Sequence, residues 1–241
     1  MRIEDLEYRA DGAQMVGQFA VDETRPGKRP GILICHEGPG LTDHTKKIAQ
    51  RLAALGYAAF AMDYYGDGKP LANPADSATR LAPWRADPTG IRTRATAALE
   101  VLAKRTETDP ARLAAIGYCF GGTTALELGR SGADLKAVVG FHSGLGTTRP
   151  QDARSIKGKV LVCIGADDPI IPPEQRAAFE TEMKAAGCDW RLQLHGGAGH
   201  SFTNPAADAR GMKGFFFHEA TDRRSWNAMI ELFNETLGAT K

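Results

Sequence analysis

Gly117-Tyr-Cys119-Phe-Gly121 has the residue types and spacing of a reactive corner. An apolar run, Leu113-Ala-Ala-Ile-Gly117, precedes it, and an Ala/Leu-rich run opens near Gly122, so the segment predicts a tight strand-turn-helix junction with a thiol at its apex. Glycines on both sides permit a strained backbone there. The N–H groups and positive potential of a helix N-terminus favour a thiolate, the nucleophilic form of cysteine. Cys35 and Cys163 lie inside apolar runs and read as small buried hydrophobes. Gly140-Phe-His-Ser143-Gly lacks the Gly-x-Ser-x-Gly spacing and reads as the end of a strand.

A thiol nucleophile needs a base, and the base needs an acceptor to orient it. Asp168 follows the apolar run Val160-Leu-Val-Cys-Ile164, and His200 follows Trp190-Arg-Leu-Gln-Leu194 within Gly196-Gly-Ala-Gly-His200-Ser-Phe. The chain order is nucleophile, acid, histidine, with each residue just past a predicted strand, where α/β sites form. Asp167 competes with Asp168 on sequence alone, and His195 competes weakly with His200 because it closes a strand.

The elements that must hold these groups alternate between short apolar runs and longer amphipathic or Ala-rich ones. This predicts an α/β fold, a mostly parallel sheet with helices on both faces. Runs at 31–35, 58–62, 113–117, 137–141 and 160–164 are continuously apolar, as strands covered on both faces must be. The segments 3–8 and 14–19 alternate and are joined by Ala-Asp-Gly at 10–12, which predicts an antiparallel N-terminal edge. Helices are expected at about 43–54, 91–105, 121–130, 173–186 and 223–236, with Asp43 as an N-cap and Pro172-Pro173-Glu174 as a helix start. One domain over residues 1–241 is expected. Tyr64 to Pro88 holds four prolines and reads as a lid or binding loop at about 64–90. Phe215-Phe-Phe217 reads as an apolar cluster that walls a pocket or packs the terminal helix, with packing favoured.

Thirty Lys and Arg against 29 Asp and Glu leave a net charge of +1, too balanced for a nucleic-acid surface. The N-terminus lacks a basic, apolar leader, and no run approaches a membrane span, so a cytoplasmic location is expected, with no membrane partner. Four cysteines without CxxC spacing predict free thiols, and six scattered histidines show no zinc-ligand pattern, so neither metal nor organic cofactor is expected.

The chain resembles the dienelactone hydrolase family, a cysteine branch of the α/β-hydrolase fold, over nearly its whole length. The resemblance rests on Cys35-His-Glu37-Gly-Pro-Gly, Gly-Tyr-Cys119-Phe-Gly-Gly, Gly-x-x-Asp168-x-x-x-Pro172 and Gly-Ala-Gly-His200-Ser-Phe. It implies a Cys119, Asp168, His200 triad and favours Asp168 over Asp167. Glu37, which by itself reads more readily as a solvated or capping turn residue, would by this resemblance contact the cysteine and help control its ionisation. The oxyanion would be held by the backbone N–H groups of Phe120 and Gly38. The family binds its substrate's carboxylate with two arginines. Arg80 with Trp84 fits the first spacing, and Arg85 is a substitute. Asn204 stands four residues after His200, where the family has the second arginine, and a neutral amide cannot form the bidentate pair.

A tetrahedral intermediate on cysteine expels a thiolate more readily than a simple alkoxide, so only an oxygen of low basicity, such as an enolate, competes. The expected function is hydrolysis of small activated carboxylic esters or enol lactones, which agrees with the family's conversion of dienelactone to maleylacetate. The alternatives are a broader carboxylesterase or thioesterase, and a non-catalytic protein using Cys119 as a redox-sensitive thiol or the pocket as a ligand site. The expected partner is a small-molecule ester or lactone, acted on by a monomer or small homo-oligomer.

Overall fold

The computed structural model describes residues 1–238. Eight strands form one sheet: β1 (Arg2–Ala10), β2 (Ala13–Val21), β3 (Arg29–Cys35), β4 (Ala58–Ala61), β5 (Thr108–Tyr118), β6 (Ala137–Phe141), β7 (Lys159–Gly165) and β8 (Trp190–His195). Their spatial order is β1-β2-β4-β3-β5-β6-β7-β8. The pairs β1/β2 and β2/β4 are antiparallel and all others are parallel. The antiparallel edge is turned at Asp11 and Gly12, both with positive φ (52° and 72°), as a tight right-twisted hairpin requires.

Six α-helices cover the sheet: α1 (Asp43–Ala54), α2 (Ser77–Ala86), α3 (Thr89–Ala103), α4 (Phe120–Arg130), α5 (Pro173–Ala186) and α6 (Glu219–Leu237). The apolar strand runs are unbroken because each face of the sheet has its own core. In β3, Leu33 and Cys35 join the core under α3, α4 and α5, while Ile32 and Ile34 join the core under α1 and α6. The same alternation separates Val160, Val162 and Ile164 of β7 from Leu161 and Cys163.

After β3 the chain adds β4 on one side and β5 on the other, so the order reverses at β3. Loops leaving the carboxyl ends of β3 and β5 therefore part company and open a crevice between them, where ligands of doubly wound sheets bind.

Several boundaries differ from the sequence expectation. Helix α1 has Thr42 at its N-cap and Asp43 as its first helical residue, so Asp43 contributes a charge at the positive helix end rather than a cap bond. Strand β5 begins at Thr108, five residues early, through a register irregularity opposite Pro30 and Gly31. Helices α3 and α6 also begin earlier than their apolar faces, at Thr89 and Glu219. The stretch from Tyr64 to Pro88 contains a 3-10 turn at Pro74–Asp76 and then α2. Prolines hide these elements in the sequence: Pro74 opens the 3-10 turn, where its missing N–H costs nothing, and Pro83 lies inside α2. Among the described residues no helix is long and apolar enough to cross a membrane.

Candidate active site

The elbow between β5 and α4 puts Cys119 at φ 55° and ψ −122°, a conformation that costs a non-glycine residue about 1–3 kcal/mol. Its neighbours make the turn sterically feasible. A Cβ at Gly117 would overlap the Gly121 carbonyl, and one at Gly121 would overlap the backbone of Cys35 and His36. The Cys119 N–H is shared between the Phe141 carbonyl (3.0 Å) and His142 Nδ1 (3.1 Å). Phe120 opens α4, so its own N–H has no intrahelical acceptor, and the Gly38 N–H lies near enough to the Cys119 sulfur to favour its thiolate.

Asp168 and His200 reach the elbow from the carboxyl ends of β7 and β8. His200 Nδ1 donates to Asp168 Oδ2 at 2.7 Å, and the Ile170 N–H donates to the other carboxylate oxygen at 2.8 Å. Both side chains are buried. The aspartate paired with the histidine is Asp168, whereas Asp167 is exposed and spends its backbone N–H on the Ala198 carbonyl. His195 closes β8 opposite Gly165 and takes no part in this pair. Gly214 and Phe216 hold the His200 backbone on both sides, and the Phe215 ring stands 4.9 Å from the imidazole. Phe215 therefore walls the histidine, the less favoured of the two readings of this aromatic run.

The thiol and the imidazole titrate as a pair. Burial opposes ionisation of Cys119, but the charge of the neighbouring His200, with the nearby Gly38 N–H, outweighs it, holding the thiol below its ordinary value. Burial likewise opposes a charged His200, yet Cys119 and Asp168 hold the imidazole up at about 10. His200 Nε2 is buried and makes no bond to a fixed group, which leaves it available for proton transfer with the neighbouring thiol.

Glu37 leaves the end of β3 and is buried beside the thiol, where its charge opposes thiol ionisation. Its Oε2 accepts from Asn204 Nδ2 at 2.8 Å and lies 3.7 Å from the Arg210 guanidinium, while Oε1 has no partner. Asn204, which the sequence places among the candidate substrate contacts, has its Nδ2 bonded to Glu37 and its Oδ1 to the Ala206 N–H.

The segment after β4 supplies an aromatic wall. Trp84 stacks between Tyr65 and Phe120, with centroids 6.0 and 6.2 Å away, and Tyr65 donates its hydroxyl proton to the Gly38 carbonyl at 2.7 Å. The guanidinium of Arg80 lies 5.7 Å from the Tyr65 ring and that of Arg85 lies 5.6 Å from the Phe120 ring. Both arginines are exposed at the rim. A cavity of about 90 Å³ beside them is lined by Trp84, Arg85, Ile91, Phe120, Thr123 and Thr147 among others. Sequence reasoning missed Tyr65, His142 and Arg210 as site residues. Only the Tyr64-Tyr65 pair directly after a strand carried a readable signal. Among the described residues no group of three or more His, Cys, Asp or Glu is arranged to hold a metal ion.

Comparison with known proteins agrees with this architecture. Residues 16–237 match the model of the dienelactone hydrolase family. A Salmonella typhimurium protein named "Putative carboxymethylenebutenolidase" is 29% identical over 234 residues, covering 93% of this chain and 84% of that protein. A dienelactone hydrolase-like promiscuous phosphotriesterase, P91, from metagenomic libraries superposes with a TM-score of 0.94 at 40% identity, covering 98% and 99% of the two chains. The structure called m3DLH gives a TM-score of 0.95 at 45% identity, with 98% of each chain covered. The chain is a hydrolase and belongs to the dienelactone hydrolase family.

Proposed function

We propose that the protein hydrolyses small activated carboxylic esters or enol lactones through a thioester on Cys119. The observation that carries this reading is the buried Asp168–His200 pair, 2.7 Å apart, whose free Nε2 serves a thiol held below its ordinary pKa on a strained corner.

His200 Nε2 takes the thiol proton, and Asp168 steadies the imidazolium. The Cys119 sulfur attacks the carbonyl carbon, and the negative charge that develops on oxygen is received by the N–H groups of Phe120 and Gly38. Collapse breaks the bond to the leaving oxygen, which takes the proton from His200 and departs as an alcohol or enol, leaving the thioester. His200 then deprotonates water, which attacks the thioester, and the departing thiolate is reprotonated through the same imidazole. Glu37 moderates the resting thiolate through its charge, and Asn204 fixes its orientation. Residues 64–90 act as a substrate-binding lid on a single domain, with Trp84 as an aromatic wall and Arg80 and Arg85 as cationic groups for an anionic acyl portion. No metal or organic cofactor enters any step.

A second reading is favoured by one comparison. P91, 40% identical, is described as a promiscuous phosphotriesterase, and a thiolate facing preorganised N–H donors can attack phosphorus as well as carbon.

The test is kcat/KM over a panel: p-nitrophenyl acetate, an enol lactone, a simple ethyl ester and the phosphotriester paraoxon. The expected result is a steep fall as the leaving oxygen becomes more basic, with the ethyl ester slowest among the carboxylic esters. Equal rates for ethyl and p-nitrophenyl esters would contradict a cysteine thioester. Paraoxon turnover above that of p-nitrophenyl acetate would shift the assignment to the second reading.

A further inference from the structure

The His142 imidazole sits between the nucleophile's backbone and the loop that carries the base, and the proposed function gives it no role. It is fully buried. Its Nδ1 accepts the Cys119 N–H at 3.1 Å, so that nitrogen must bear a lone pair. The proton then resides on Nε2, which donates to Thr203 Oγ1 at 2.9 Å. Thr203 lies three residues after His200, and the two imidazole rings are 5.0 Å apart. A continuous chain of bonds thus runs from the Cys119 backbone, through one ring, to the His200 loop.

Backbone conformation singles out the same three segments. Among the described residues five non-glycine positions have positive φ, and three of them are Cys119 (55°), His142 (40°) and Ser201 (60°). Such conformations persist only where the surroundings over-determine them. The His142 N–H is fixed by the Cys163 carbonyl at 2.8 Å, and its ring is flanked by Phe202 at 5.1 Å and Tyr118 at 6.0 Å. Burial and the nearby His200 keep His142 neutral, which preserves the acceptor that the Cys119 N–H needs. A neutral ring beside His200 also avoids placing a second positive charge against the imidazolium formed in catalysis.

We propose that His142 is a positioning residue: as a neutral imidazole it links the Cys119 backbone to Thr203 and so sets the thiol and the His200 ring in mutual register. This rests on Cys119 being the nucleophile. Loss of the link lets the elbow and the histidine loop relax independently, and a displacement of the order of 1 Å between reacting groups costs about 10²-fold in rate.

Steady-state hydrolysis of p-nitrophenyl acetate, with Tm as the folding control, tests the link in His142→Leu, His142→Asn, Thr203→Val and Thr203→Ser. Asparagine can present its amide oxygen where Nδ1 stands, and serine keeps the hydroxyl. The expected result is a kcat loss of about 10- to 100-fold for the leucine and valine variants with KM changed less than about twofold, and recovery of most of that loss in the asparagine and serine variants. Wild-type kcat in His142→Leu, or equal losses in each conservative and non-conservative pair, overturns the proposal. If His142→Leu does not fold, the Thr203 pair decides by the same criterion. Cys119→Ala, assayed alongside, separates the two failures. An inactive Cys119→Ala with a normal His142→Leu refutes only the positioning role, whereas wild-type turnover by Cys119→Ala removes the nucleophile and the positioning role together.

Discussion

Cys35 closes β3 and Cys119 follows the neighbouring strand β5, with Cys35 paired to Gly117 two residues before the elbow, yet their chemistry is opposite. Cys35 ends β3 in extended backbone with its side chain in the core, its sulfur 3.4 Å from that of Met62. Burial with no compensating charge pushes its thiol well above the ordinary value. Cys119 stands one residue past β5, where positive φ lifts the side chain out of the strand's alternation and brings it to His200 and the Gly38 N–H. Burial acts on both thiols in the same direction. A backbone turn, with the partners it reaches, makes one of them a nucleophile candidate.

The widest separation should come from removing each thiol. Cys119→Ala should lower kcat by about 10⁶-fold, the scale of deleting a nucleophile that acts as part of a unit, while Cys35→Ala should keep wild-type kcat and lose about 1 kcal/mol of stability in urea unfolding. Comparable kcat losses in the two variants would erase the distinction. The two aspartates sharpen it next. Asp168→Asn should cost on the order of 10³- to 10⁴-fold in kcat, because an amide can present an N–H to Nδ1 and favour the wrong tautomer, while exposed Asp167→Asn should stay near wild type. The smallest effect concerns Glu37. Its carboxylate raises the Cys119 pKa, so Glu37→Gln should lower it further. Iodoacetamide alkylation, which follows the thiolate, falls as pH drops through that pKa, and its midpoint should therefore move to lower pH. A midpoint that moves up, or stays, contradicts the Glu37 contribution.

The fold was largely legible because strands covered on both faces must be continuously apolar, which marked β3 to β7. Helix starts were less so, since Thr89 and Glu219 precede the first buried apolar residues of α3 and α6 and carry no periodic signal. Helix α2 was invisible because it buries little beyond Leu81 and contains Pro83. Within the site, Cys119, Asp168 and His200 announced themselves by motif and chain order. The partners around them depend on contacts between loops far apart in sequence. Asn204 reaches Glu37 across 167 positions, and His142 reaches Thr203 across 61. His142 was hidden in a segment that resembled the end of a strand, and only the fold shows that its ring faces the elbow.

The most direct test of the central claim is acid-quenched peptide mapping by mass spectrometry during turnover of p-nitrophenyl acetate. The account predicts one acetyl group on the peptide containing Cys119, labile to neutral hydroxylamine, and accumulating further in His200→Ala if acylation still proceeds. Sustained turnover with the acetyl group on another residue, or with none detectable on any peptide of either protein, would contradict it.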